Sequence, residues 1–444
     1  MINRIAALFR RVTQNPDFVW SVITANGAAI LNIGVQIVMV PLYIDTLGME
    51  QFGILMILLA IYNYLGVGLG WASAGFQRVI GEHWAREEKQ AVCSTYAAAK
   101  LVYLGYAILA CLVGGVVAFA TPLGASLFDN ASRTAVLALM AGYVLVAYDF
   151  NVDRITLTAV GRQAVGNALA AGAQVAFVAM AVPGLILGYG FIAIFAGFLV
   201  GQIVARVGAA LLLSRLGVSW RGVTLRTGVP MLQRALGRMG IGYAIYAFLL
   251  MGLLQGDVLL LGWLGDATVV AEFVLVWKIA DVAIQFLWRI PESMIPYLVK
   301  MDVEADAEGI KQYRRDIDRV MMVAGLIAGV GFALAGQWVV GLWVGPENVP
   351  DEPWAFALAG AAIFWLTIYR TSAIVAFALV KLKRLNLVLA LELCVKVAAV
   401  LVLFDQFGYM APIVAISLFH GLGGSLLYRR IGTAALNERN SHHE

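Results

Sequence analysis

Apolar runs of about 20 residues recur along almost the whole chain, and they restrict the possible fold more than any other feature of the sequence. Each run is long enough to cross a hydrocarbon layer of about 30 Å as a helix. A helix satisfies its own backbone hydrogen bonds inside a bilayer. Of the 444 residues, 61% are hydrophobic and 13% are charged, a composition outside the range of soluble domains. The sequence therefore predicts an all-α polytopic membrane protein.

Twelve spans can be drawn from these runs, and the basic residues between them indicate their orientation. The predicted limits are 18–44, 50–75, 93–120, 133–154, 164–188, 190–214, 237–262, 268–296, 319–344, 353–379, 385–405 and 409–430. Every connection after an even-numbered span is rich in Lys and Arg, whereas Arg133 is the one basic residue in the connections after odd-numbered spans. Because basic loops stay on the cytoplasmic side, both termini are predicted to be cytoplasmic.

A weak internal repeat indicates that the chain consists of two parallel halves. The Leu-Gly pair at 47–48 recurs at 264–265, and Tyr96 recurs as Tyr313 at the same offset. Two halves with an even number of spans are related by an axis along the membrane normal. The predicted domains are an N-terminal six-helix bundle over 1–215, a cytoplasmic linker over 216–236 and a C-terminal six-helix bundle over 237–444.

The predicted eighth span carries a stripe of polar and charged residues. Lys278, Asp281, Gln285, Arg289 and Glu292 follow one another at intervals of three or four residues, so they lie on one face of a helix. A charge inside a bilayer is costly unless it faces a partner or water. The stripe therefore predicts that this helix lines a water-filled path through the protein.

Two stretches resemble a known transporter family. The run NIGVQIVMVPLYIDTLGMEQFGILMILLAIYNYLGVGLG, followed by the charged turn GEHWAREEKQ, resembles the opening of the polysaccharide-exporting flippases of the multidrug/oligosaccharidyl-lipid/polysaccharide (MOP) superfamily. The segment GDVLLLGWLGDATVVAEFVLVWKIADVAIQFLWRIPESMIPYL resembles the seventh and eighth helices of the same transporters. The resemblance covers most of the chain in layout and rests on diffuse patterns of Gly, Pro and aromatic residues.

The resemblance implies a V-shaped transporter with two six-helix bundles around a central cavity. Flippases of this family move a lipid-linked oligosaccharide, usually on undecaprenyl diphosphate, across the bacterial inner membrane for O-antigen or exopolysaccharide export. The implied partners are therefore the lipid-linked glycan and the lipid bilayer, with no cofactor and no catalytic residue. The charged segment 302–320 is interpreted as a solvated surface helix, and docking of other polysaccharide-assembly proteins is the alternative interpretation.

The candidate substrate-binding residues are Lys278, Arg289, Arg370, Asp281, Gln285, Asn32 and Gln36. A diphosphate requires concentrated positive charge in a partly desolvated cavity, and the resemblance implies this role for Arg289, Arg370 or Lys278. The amides offer neutral hydrogen bonds, or else they bond neighbouring helices. The alternative for the charges is mutual neutralisation, as Lys278 with Asp281, Arg289 with Glu292, and Glu392 with Lys396.

Asp149 and Asp257 are the candidate sites for coupling transport to H⁺ or Na⁺, because a carboxylate in a low-dielectric site can bind either ion. The alternative for Asp149 is a pair with nearby Arg154.

Two other functions are considered. An ion-coupled multidrug or cation exporter of the same superfamily is the first alternative. Such an exporter would prefer an acidic cavity, and the excess of cations within the spans argues against it. A membrane glycosyltransferase or polymerase is the second, and short external loops argue against an enzyme. Nucleic acid is not expected as a partner, because the basic residues are spread over short loops.

Overall fold

The computed structural model describes residues 16–67, 70–120, 130–219, 238–292, 307–379 and 382–440, together with 295, 298 and 301. Its helices are α1 (Pro16–Leu47), α2 (Met49–Val67), α3 (Gly70–Ala85), α4 (Lys89–Ala120), α5 (Asn130–Ala159), α6 (Gln163–Ile186), α7 (Gly190–Arg215), α8 (Arg238–Leu264), α9 (Ala267–Glu292), α10 (Ala307–Val344), α11 (Pro353–Leu379), α12 (Leu382–Phe407), α13 (Ala411–Ala415) and α14 (Ser425–Asn440). Short 3-10 helices lie at Pro346–Asn348 and Gly408–Met410, and a π-helix at Ile416–Gly424 joins α13 to α14. The described residues contain no β-strand, which confirms the all-α prediction.

Within the described residues, nine helical segments are long and apolar enough to cross a membrane. The last of them, Lys383–Ala434, contains both the eleventh and the twelfth predicted spans. A 3-10 turn that begins at Gly408 joins these two spans. The φ angle of Gly408 is 51°, a positive value that glycine adopts without steric cost. The eighth predicted span, α9, is missing from the nine because of its charged stripe, and Met49–Tyr64 is a shorter apolar helix. The chain is thus a multi-pass membrane protein, as predicted.

One sequence interpretation differs from the structure. The sequence predicts a solvated surface helix over 302–320, but its described part, from Ala307 onward, belongs to α10, which runs without interruption to Val344. The stretch between Gly309 and Gly325 contains neither Gly nor Pro, so nothing in the sequence ends the helix there. Residues 302–306 of the segment lie outside the described part of the chain.

The described chain forms two compact units. The first unit contains Met1–Gly48 and Leu65–Ala244, and the second contains Met49–Tyr64 and Ile245–Glu444. The predicted domain limits differ from these units at Met49–Tyr64, which belongs to the second unit, and at 238–244, which belongs to the first. The predicted linker over 216–236 lies outside the described residues beyond position 219. The division into six-helix bundles therefore stays a prediction.

Small residues allow helices to pack closely inside each unit. In the first unit, a Cβ at Gly201 of α7 would lie 2.4 Å from the carbonyl oxygen of Ala173 in α6. In the second unit, a Cβ at Gly360 of α11 would lie 2.3 Å from the carbonyl oxygen of Gly329 in α10. Such close backbone approach is the usual way in which transmembrane helices gain packing energy without a hydrophobic driving force.

Replacing Gly360 with Ala is expected to destabilise the protein by about 1–3 kcal/mol, because the added methyl group forces α10 and α11 apart. Unfolding of the detergent-purified protein measures this effect. Gly331→Ala is the matched control, because the space around a Cβ at Gly331 is open to 4 Å. Equal stability of the two variants would show that the crossing at Gly360 is not tightly packed.

Candidate functional site

The polar stripe of α9 lies on one helix face, as predicted. Gln285 Nε2 donates a hydrogen bond to Asp281 Oδ2 over 2.7 Å. Lys278 is half-buried within electrostatic range of Asp281, whereas Gln285 and Arg289 are exposed. The charges of Lys278 and Asp281 therefore offset each other within the helix, whereas Gln285 and Arg289 present an amide and a cation at the surface.

Arg370 of α11 forms an ion pair with a carboxylate of α9. Its Nη2 donates to Glu292 Oε1, and its guanidinium lies 4.7 Å from the ring centroid of Trp288. Trp288 Nε1 in turn donates to the carbonyl oxygen of Leu366 over 3.0 Å, which holds the indole against α11. The predicted pair of Arg289 with Glu292 is therefore wrong, because Glu292 pairs across helices with Arg370.

A cavity of about 330 Å³ lies among α2, α8 and α12 in the second unit. Its walls are mostly apolar and include Tyr64, Trp263 and Leu393. Its polar point is an ion pair in which Lys396 Nζ contacts Asp257 Oδ2 at 2.7 Å, and both side chains are buried. Lys396 Nζ also donates to the carbonyl oxygen of Leu253.

The predicted pair of Glu392 with Lys396 is also wrong. Although the two residues lie one turn apart on α12, Lys396 pairs with Asp257 of α8. Glu392 Oε2 lies 3.1 Å from Nδ1 of His420, which belongs to the π-helix. Both residues of the helical turn thus find partners on other helices.

A charged network in the first unit links α4, α5 and α7. Asp149 accepts hydrogen bonds from Lys100 Nζ and from Arg206 Nε. Asp153 contacts the same two cations at 2.8 and 3.1 Å and accepts a hydrogen bond of 2.6 Å from the hydroxyl of Tyr96. Two carboxylates and two cations make this network electrically neutral.

The network corrects one sequence interpretation and adds residues that the sequence analysis missed. Asp149 does not pair with Arg154, whose Nη2 donates to the side chain of Asn151 over 3.3 Å. Lys100 and Asp153 were not among the candidates. The four-residue spacing of Asp149 and Asp153 was the available signal, because it places two carboxylates on one face of a predicted span.

The candidate ligands are divided between the units. Asn32 and Gln36 are half-buried on α1 in the first unit. Lys278, Asp281, Gln285, Arg289 and Arg370 all belong to the second unit. Their roles as substrate ligands, and those of Asp149 and Asp257 in ion coupling, stay predictions.

No protein-family model and no curated protein matches the chain. Solved structures do match. An inward-facing multidrug-resistance transporter of the MATE family in the MOP superfamily is 14% identical, with a TM-score of 0.71 over 93% of this chain and 96% of that one. An outward-facing MATE transporter is 12% identical, with a TM-score of 0.63 over 95% and 96%. The Vibrio cholerae MATE transporter VcmN, as a point variant, is 14% identical, with a TM-score of 0.65 over 96% and 98%.

These matches cover nearly the full length of both partners in each comparison, and all of the matched proteins are transporters rather than enzymes. The matched proteins are MATE transporters rather than polysaccharide flippases, and the likeness shows the fold. The chain has the fold of the MATE transporters of the MOP superfamily.

Proposed function

We propose that the chain is a membrane exporter that moves amphipathic organic compounds out of the cell by alternating access. The observation that carries this proposal is the likeness of the fold to MATE transporters solved in both inward-facing and outward-facing conformations. A fold that exists in both conformations is able to expose one site to each side of the membrane in turn. The proposed location is the bacterial inner membrane, with both termini in the cytoplasm.

The charge arrangement supports an amphipathic cargo over a diphosphate. Lys396 and Arg370 each have a carboxylate partner within the second unit. The two cations of the first-unit network share two carboxylates. A diphosphate would need uncompensated positive charge to offset its loss of hydration. Apolar surface with isolated neutral polar points instead suits an organic compound with modest charge.

The second candidate function is a flippase for a lipid-linked oligosaccharide. The sequence resemblance and the exposed end of the α9 stripe, with Gln285 and Arg289, favour it. An exposed guanidinium beside an amide is suited to bidentate contact with a phosphate group. In this case other polysaccharide-assembly proteins would be partners.

Deletion of the protein in its host separates the two functions. Loss of an exporter is expected to raise the intracellular accumulation of lipophilic cationic dyes and to leave lipid-linked oligosaccharides unchanged. A membrane-impermeant label that reports the leaflet of these lipids provides the second readout. Accumulation of lipid-linked oligosaccharide in the cytoplasmic leaflet, with normal dye accumulation, would overturn the exporter proposal and support the flippase.

Replacing Arg370 with Gln is expected to lower transport by at least about tenfold, because Glu292 loses its charged partner and the cation leaves the face of Trp288. Dye export by cells that express equal amounts of the variant measures the effect. Arg319→Gln, a substitution of an exposed arginine on α10, is the control. Full transport by the Arg370 variant would remove this residue from the functional site.

A further inference from the structure

A buried acid and imidazole form a pair in the second unit, apart from the polar stripe of α9. Glu392 of α12 is 6% exposed, and His420 of the π-helix is 1% exposed. Glu392 Oε2 and His420 Nδ1 are 3.1 Å apart, which is hydrogen-bond distance. The two groups therefore share a hydrogen bond that is closed off from bulk water.

The second polar atom of each group has no protein partner. Within the described part of the chain, neither Glu392 Oε1 nor His420 Nε2 has a hydrogen-bond partner. The ring centroids of Tyr369 and His420 are 3.8 Å apart. The backbone of Gly424 lies close to Glu392, because a Cβ at Gly424 would lie 2.5 Å from Glu392 Oε1. Unpartnered buried polar atoms cost free energy, so they call for a functional explanation.

The charged groups around the pair already have partners of opposite charge. The facing groups are Lys396 on α12, Arg370 and Tyr369 on α11, Tyr246 on α8 and Tyr428 on α14. Lys396 pairs with Asp257, and Arg370 pairs with Glu292. The remaining three groups are neutral phenols. Neither cation is therefore left to neutralise Glu392, and the net charge of the Glu392–His420 pair depends on how many protons the pair holds.

With one proton, the pair has no net charge. A neutral carboxylic acid on Glu392 can donate to Nδ1 of a neutral His420, so both groups are uncharged in their buried position. Removal of this proton would leave a carboxylate without a cation of its own, and a second proton would leave an unpaired imidazolium. Burial of either charge is costly, so the closed pair holds one proton.

We propose that Glu392 and His420 form a proton-binding site whose single proton is exchanged with water during transport. The proton leaves the Glu392 carboxyl for a water molecule as hydronium and returns by the reverse transfer. A proton is the ligand, because Na⁺ favours several oxygen ligands and the imidazole supplies a nitrogen. That Glu392 and His420 bind a proton is independent of the proposed function, whereas the coupling of this proton to transport rests on it.

The π-helix provides a way to open the site. His420 lies within Ile416–Gly424, whose sequence ISLFHGLGG contains three glycines. π-Helical segments are rare and occur frequently at functional sites. Conversion of this segment to an α-helix would rotate His420 about the helix axis relative to Glu392. The hydrogen bond would then break, and the carboxyl group would lose the acceptor that stabilises its protonated form.

Infrared spectroscopy of the purified full-length protein at neutral pH tests the proton site directly. The wild type is expected to show a protonated carboxyl C=O band that shifts in D₂O, and Glu392→Gln is expected to remove it. Asp257→Asn is the matched control and should retain the band, because Asp257 is a carboxylate paired with Lys396. His420→Leu should shift the band, because the carboxyl group loses its acceptor. Absence of the band in the wild type, or its persistence in Glu392→Gln, would overturn the proposal.

Proteoliposomes test the coupling. Transport of a lipophilic cationic dye by the wild type is expected to increase when a pH gradient is imposed, and Glu392→Gln should lose at least about nine-tenths of this response while retaining dye exchange without a gradient. A wild type that transports the dye without any response to the gradient would overturn the coupling. A wild type that transports no dye, but shows the Glu392 band, would contradict the exporter proposal and leave the proton site supported.

Discussion

Replacing Asp153 with Ala is expected to destabilise the protein by about 3–5 kcal/mol, which is the usual cost of removing one member of a buried charge network. The side chain of Asp153 is fully buried between α4, α5 and α7. Its loss would leave Lys100 and Arg206 with one carboxylate between them, and it would also remove the hydrogen-bond acceptor of Tyr96. Chemical unfolding of the purified protein in mixed micelles measures the change in the free energy of unfolding.

Asp149→Ala is the matched control for this experiment. Asp149 contacts the same two cations, but its side chain is 37% exposed. Water can therefore replace much of its contribution, and the expected cost is about 1 kcal/mol. Equal costs for the two aspartates would show that burial does not decide the energetics of this network.

Replacing Lys396 with Met is also expected to destabilise the protein by about 3–5 kcal/mol, because Asp257 would remain as a buried carboxylate without a cation. The cavity beside this pair is mostly apolar, so its walls offer little compensation. Asp257→Asn is expected to be destabilising for the converse reason. The same unfolding measurement applies to both variants.

The double variant Asp257→Asn with Lys396→Met tests whether the two effects share one cause. Because neither charge remains, the double variant should be clearly more stable than the sum of the single changes predicts, with a coupling energy of about 1–3 kcal/mol. Strict additivity would contradict the ion pair. This cycle also isolates the pair from the neighbouring hydrogen bond between Glu392 and His420.

The fold class was predictable because its signal is local. The long apolar runs predicted helices that the structure contains, from α1 to α14, and the charged face of α9 was visible from its spacing alone. The continuity of α10 was not predicted, because the charges of segment 302–320 indicated a solvated surface helix rather than the start of a membrane span.

The partners of the embedded charges were much less predictable. Pairs inferred from spacing along one helix failed for Glu292 and Lys396, which bond to Arg370 and Asp257 on other helices. Asp149 likewise pairs with Lys100 and Arg206 on other helices, not with Arg154, which lies five residues further along its own helix. Residues on one helical turn are close enough to form a pair. In these cases, however, the buried charge pairs with a residue of a facing helix.

By itself, the sequence determined that the chain is an all-α membrane protein with a polar stripe on α9, because hydrophobic length and helical period are local properties. Only the tertiary structure decided which charges neutralise each other, and it alone brought Glu392 of α12 to His420 of the π-helix. The physical reason is that these contacts depend on the rotation and depth of each helix in its bundle. Close packing sets both, through small residues such as Gly329 and Gly360.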